Sequence, residues 1–149
     1  MEKDKSIDVL NELIVINNDR IDGYETAAKA TDETELKALF AGFISTSEKC
    51  RQELVQQVVS LGGKPEEGTR ITGKFFRAWM DVKAALTNKD REAILNSCEY
   101  GEDVAVETYE KAMADSGDVS SPIYELIESQ YVLIKNDHNR INVLLEHLA

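Results

Sequence analysis

Glu102 is the residue in this chain whose type and place together suggest chemistry. It lies between Cys98 and Ala105 on an otherwise apolar helical stripe, which predicts burial. A carboxylate taken out of water must be paired, bind a cation, or take up a proton. The spacing leaves all three open. Pairing with His138, Lys135 or a tyrosine hydroxyl would give a polar network that fixes helix register. Alternatively, Glu102 and His138, with Asp137 and Cys50, would form a mixed ligand set suited to one zinc or iron ion. The pairing is the reading adopted, and Glu102 and His138 are the candidate metal ligands if it fails.

Polar residues recur midway along the other apolar stripes. Asn17 lies on the first, one heptad before Tyr24; Ser47 and Cys50 lie on the second, and Gln130 and Asp137 on the fourth. Glu102 has its own tyrosine one heptad on, at Tyr109. Both tyrosines fit satisfied core residues better than redox groups. His147, in the last turn of the fourth stripe, suits the negative end of a helix dipole. No nucleophile–base arrangement is visible, and no catalytic residue is assigned. Gly62-Gly63 reads as a helix stop, because no strand precedes it and no Lys-Ser/Thr follows.

Four long helices must position these groups. Ile7, Leu10, Ile14, Asn17, Ile21, Tyr24 and Ala28 alternate spacings of three and four, predicting a first helix that Ser6 caps and that ends near Ala30. Asp32 and Glu35 have capping-box spacing for a second helix with the stripe Leu36, Phe40, Phe43, Ser47, Cys50, Leu54, Val58 and Leu61. Gly62-Gly63-Lys64-Pro65 ends it. The connection Lys64–Asn88 is long, and Thr72 would cap a short aromatic helix within it, carrying Phe75, Phe76 and Trp79. Thr87 and Asp90 would open the third helix; Ser121 as cap and Pro122 would open the fourth, to about Leu148. A long second connection lets the third helix run parallel to the second. The expectation is one all-α domain over residues 1–149, an up-down-down-up four-helix bundle with a short extra helix in the crossover.

Asn17-x6-Tyr24-Glu25-x-Ala27 is echoed by Glu102-x6-Tyr109-Glu110-x-Ala112, and NNDRI at 17–21 by DHNRI at 137–141. These echoes make duplication of a helix pair plausible.

The net charge of −11 argues against nucleic acid and against anionic membrane surfaces. No apolar run approaches the ~20 residues of a membrane span, and no signal peptide is recognisable at the N-terminus. Two cysteines without a secretion signal point to a cytoplasmic protein with reduced thiols.

The four stripes, the crossover and the LGGKP ending resemble the ferritin-like superfamily over nearly the whole chain. More narrowly, INNDRIDGYE, RAWMDVKAAL, GEDVAVETYEKA and HNRI resemble a bacterial ferritin-like family of unassigned function. The resemblance implies a di-metal centre built from a Glu on each of two helices and a Glu-x-x-His pair on each of the others. At the implied positions this chain has Asn17, Ser47 with Cys50, Glu102, and Lys135 with His138; Asp137 is adjacent. Only Glu102 is clearly a retained carboxylate. The expectation is therefore a non-enzymatic bundle with a degenerate di-iron site and no cofactor. Its role would be structural or partner-binding, stress-related by analogy, with a homodimer left open and the protein partner unknown. The alternatives are a reduced mononuclear iron or zinc site at Glu102 and His138, and a di-iron oxidase or iron-storage protein.

Overall fold

The three-four spacing of apolar residues produces helices, and burying the four stripes against one another produces the bundle. The structure, a computed structural model, describes residues 2–68, 91–115 and 121–148. Helix α1 spans Glu2–Ala30, α2 Thr34–Ser60, α3 Arg91–Asp115 and α4 Ser121–Leu148, and there is no strand among the described residues. The extra helix expected in the crossover, and the Thr87–Asp90 cap, fall outside the described residues. None of the described helices is long and apolar enough to cross a membrane.

The helix directions follow from which levels meet. Arg20 of α1 reaches Glu102 of α3, while Asn17 reaches Tyr109, so α1 and α3 are antiparallel. Arg91, at the start of α3, bonds Glu33 and Glu35 at the start of α2, so those two helices run parallel. Cys50 meets Gln130, and Phe43 meets Arg140, which makes α2 and α4 antiparallel. The order is up-down-down-up, as the long crossover requires.

The expected stripes are the buried ones. Leu36, Phe40, Phe43, Ser47, Cys50, Leu54 and Val58 line the inner face of α2, and Ile123, Ile127, Gln130, Ile134, Asp137 and Ile141 that of α4. The apolar residues divide into two clusters. One holds Leu10, Leu13, Ile14, Leu54, Val58 and Ile127; the other holds Tyr24, Leu36, Phe40, Phe43, Leu95 and Ile141. The polar positions lie between them. Full burial of each Leu, Ile or Phe contributes about 1.5–3 kcal/mol, which offsets the cost of that polar layer.

Two helix starts differ from expectation. Helix α1 begins at Glu2, so Ser6 lies buried within it rather than capping it. Helix α2 begins at Thr34 with Glu33 at the cap position and no side-chain cap bond. The hydroxyl of Thr31 instead accepts the Glu33 N–H at 3.2 Å, closing the turn one residue earlier than an Asp32 cap would. The other end of α2 follows its glycines. Gly63 N–H bonds Val58 C=O and Gly62 N–H bonds Val59 C=O, both at 2.9 Å, with Gly62 left-handed at φ 82°. This is a Schellman stop. Beyond it, Asn11 donates to Lys64 C=O at 3.2 Å and accepts from Glu66 N–H at 3.0 Å, and Asn18 donates to Gly68 C=O at 3.0 Å. The two amides, one heptad apart, lay the start of the crossover along α1.

Two glycine substitutions should act with opposite sign. At Gly62, alanine must adopt the left-handed conformation, and Gly62→Ala should cost about 1–2 kcal/mol. Gly42 is helical, and a Cβ there would find its nearest neighbour, the Arg140 Nη1, at an ordinary 3.5 Å. Gly42→Ala should stabilise by about 0.5–1 kcal/mol. Urea unfolding followed by circular dichroism measures both.

Candidate functional site

The partner of Glu102 is Arg20. Both are fully buried, and the guanidinium grips the carboxylate with two bonds: Nε to Oε2 at 2.9 Å and Nη2 to Oε1 at 2.5 Å. Nη2 also donates to Asp137 Oδ2 at 3.1 Å, and Nη1 donates to Ser47 Oγ at 2.6 Å. Four bonds thus draw on the five N–H donors that a guanidinium carries. The neighbouring aromatic rings of Tyr24 and Phe43 lie 5.6 and 5.9 Å from the guanidinium carbon, within cation–π range. Tyr24 in turn packs on Phe40 and Phe43, with ring centroids 5.5 and 5.0 Å apart. All four helices contribute to this cage: Arg20 from α1, Ser47 from α2, Glu102 from α3 and Asp137 from α4.

Electrostatics explain why the charge survives burial. Desolvation opposes the Arg20 cation, but the Glu102 and Asp137 carboxylates more than compensate, and its pKa is raised. The Glu102 carboxyl is held above its ordinary value by desolvation and then by the Asp137 charge, while the Arg20 charge and hydrogen bonds pull the other way. The bidentate geometry is that of a guanidinium and a carboxylate.

A second polar chain lies one level along. Asn17 Nδ2 donates to Leu13 C=O at 2.8 Å and to the Tyr109 hydroxyl at 2.9 Å. Tyr109 donates to Gln130 Oε1 at 2.8 Å, and Gln130 Nε2 donates to Cys50 C=O and Glu53 Oε1, both at 3.1 Å. The direction of this relay is fixed, because the carbonyls at its ends can only accept. Asn17 Oδ1 is buried with no hydrogen-bond partner among the described residues. The sequence echo now has a geometric meaning. On antiparallel helices, a residue and its heptad neighbour exchange partners: Asn17 meets Tyr109, and Glu102 meets Tyr24.

The structure divides the sequence-derived residues into groups. Ser47, Glu102 and Asp137 converge on Arg20, with Tyr24 against them; Asn17 and Tyr109 form the adjoining chain with the Cys50 backbone. His138 stands apart. Its Nε2 bonds Asp103 Oδ1, and its Nδ1 accepts from Asn142 Nδ2 at 3.3 Å. Lys135 is half-buried and makes no polar contact among the described residues. Cys50 and Cys98 are buried free thiols. Among the described residues, no group of three or more His, Cys, Asp or Glu is arranged to hold a metal ion. Sequence reasoning missed Arg20, because arginine is ordinarily a surface residue. The available signal was its position: three residues after Asn17 and four before Tyr24, it shares their helix face.

A four-helix bundle with an up-down-down-up order and a polar layer contributed by all four helices is the ferritin-like arrangement. A solved structure from Bacillus anthracis str. Ames, described as a ferritin-like, diiron-carboxylate protein, is similar with a TM-score of 0.67. The two share 19% identity over 97% of this chain and 98% of that one, a likeness that carries the fold. Residues 5–115 match the family described as Domain of unknown function (DUF2383), and the chain belongs to that family. Among curated proteins, none matches it.

Removing the core cation should be far worse than removing a surface one. Arg20→Met strands Glu102 and is expected to lower unfolding free energy by about 3–5 kcal/mol in urea titration. Adding Glu102→Gln to it should recover part of that loss, because the carboxylate no longer has to be neutralised. Equal stability of Arg20→Met and wild type would show that the ion pair does not hold the layer.

Both thiols should be inert while the bundle is folded. Burial pushes Cys50 up to about 11 and Cys98 higher still. Iodoacetamide at pH 8 should modify neither in native protein over a time that alkylates both in urea, read by intact mass. Rapid native labelling of either would reveal local opening.

Proposed function

We propose that this protein is a ferritin-like bundle without a resident di-metal centre, acting in the cytoplasm by binding rather than by catalysis. The observation that supports this is the Arg20 guanidinium, seated among Ser47, Glu102 and Asp137 in the middle of the core. A di-iron group needs several carboxylates and imidazoles to offset and coordinate its charge. The donors at this level are Asn17, Ser47, Gln130 and the thiol of Cys50, with Glu102 and Asp137 already committed to a permanent cation. A guanidinium is donor-only and does not give up its proton, so a metal ion beside it would meet a like charge. The residues do not fit the group that the neighbouring structure's description names.

The mononuclear alternative fares no better on geometry. It would require Glu102 to leave Arg20 and His138 to leave Asp103. In this reading Arg20 supplies covalently the positive charge that a metal supplies in a carboxylate-rich bundle. The interior then serves stability and helix register, and function belongs to the surface.

Elemental mass spectrometry of freshly purified wild type and Glu102→Gln tests the reading. Iron, zinc and manganese should be far below one per chain in both, and ferrous iron added in air should oxidise no faster than in buffer. One or two metal ions per wild-type chain, lost in Glu102→Gln, would overturn it.

A further inference from the structure

We infer that the groove between α2 and α4 is a binding site for a small amphipathic monocarboxylate: one carboxylate on a short aliphatic or aromatic tail. The groove has a volume of about 510 Å³, within the range of small-molecule sites. Leu36 and Leu39 of α2 are buried at its floor, with Leu144 of α4 beside them. Asn139 and Arg140 stand exposed on its α4 wall, and Glu35 on its α2 wall.

The charges at its edge are unequal. Glu35 is held at 2.7 Å by Arg91, which it shares with Glu33 at 3.0 Å, so its carboxylate is partly matched. Arg140 is not. Among the described residues it forms no ion pair, and its guanidinium lies 5.7 Å from the ring centroid of Phe43. That contact orients the cation without neutralising it and leaves its N–H donors available. Gly42, next to Phe43 on α2, leaves room beside it, since even an added methyl would stop 3.5 Å from Nη1. A positioned, unmatched guanidinium beside an apolar groove is complementary to a carboxylate carrying an apolar tail. The amide of Asn139 could share the headgroup.

The rest of the molecule narrows the class. A net charge of −11 repels polyanions, including peptides with several acidic residues, but weighs little on a ligand with one charge. The proposal deepens the binding half of the function above and rests on it. The two fail separately, because metal content reports on the Arg20 layer and ligand titration reports on the groove.

Octanoate is the probe, titrated into 15N-labelled full-length protein, with octylammonium as a tail-matched cation. Saturable shifts confined to the amides of residues 35–39 and 136–144 are expected for octanoate. Octylammonium should bind at least about fivefold more weakly, even though the acidic surface favours it. Arg140→Gln should weaken octanoate by about fivefold or more. Ala38→Glu, an exposed groove position, should abolish saturable binding by adding a like charge. Both variants replace exposed side chains, and circular dichroism checks their folding. Absence of saturable octanoate binding at millimolar concentration overturns the proposal. So does equal or tighter binding of octylammonium, or an affinity unchanged in folded Arg140→Gln. The comparison of the two probes on wild type stands even if a variant does not fold.

Discussion

A guanidinium cannot shed its charge, so once Arg20 is placed in the core every neighbouring element has to answer it. The answer comes from four helices at once. Helix α3 supplies the bidentate carboxylate, α4 a second carboxylate, α2 a hydroxyl and an aromatic face, and α1 the Tyr24 ring. Sliding any one helix by a residue would rotate its contribution by about 100° and leave a buried charge or donor unmet. Two apolar clusters alone would tolerate such slippage, because hydrophobic contact is non-directional. The ion layer between them therefore acts on register more than on net stability, the role best attested for buried polar groups.

The same layer explains why an apparent sequence repeat persists alongside unlike residues. Helices α1 and α3 are antiparallel, so a polar residue on one faces the heptad tyrosine of the other. Asn17 and Glu102 occupy equivalent places in this exchange but meet different demands. Asn17 joins a neutral relay through Tyr109 and Gln130, whereas Glu102 balances a cation. The shorter echo separates further. In NNDRI the arginine is Arg20, at the centre of the core; in DHNRI it is Arg140, exposed at the α2–α4 groove. Ile21 and Ile141, which follow them, are both buried.

Most of the architecture was legible because it depends on local rules. Apolar spacing defined the inner faces of α1 to α4, Gly62-Gly63 marked the stop of α2, and the length of the crossover implied parallel α2 and α3. Burial of Glu102 was legible from Cys98 and Ala105 on either side of it. Its partner was not, since Arg20 lies 82 residues away and only the antiparallel pairing of α1 with α3 joins them. His138 shows the same limit from the other direction. Its neighbour Asp137 turns into the core toward Arg20, while His138 turns toward Asp103. Adjacent residues on a helix diverge by about 100°, and spacing alone does not say which of the two faces inward.

Asn11 and Asn18 hold the segment after α2 entirely through its peptide groups: the carbonyls of Lys64 and Gly68 and the amide of Glu66. None of these bonds depends on the side chains of the segment itself. The path of residues 64–68 is thus encoded on α1, and the segment's own letters are left free. Related chains could replace lysine and glutamate there, altering the charge of that flank, without rerouting the backbone. Loss of either asparagine would be felt instead by a part of the chain about fifty residues downstream, as the separations of 53 and 50 residues in these contacts imply.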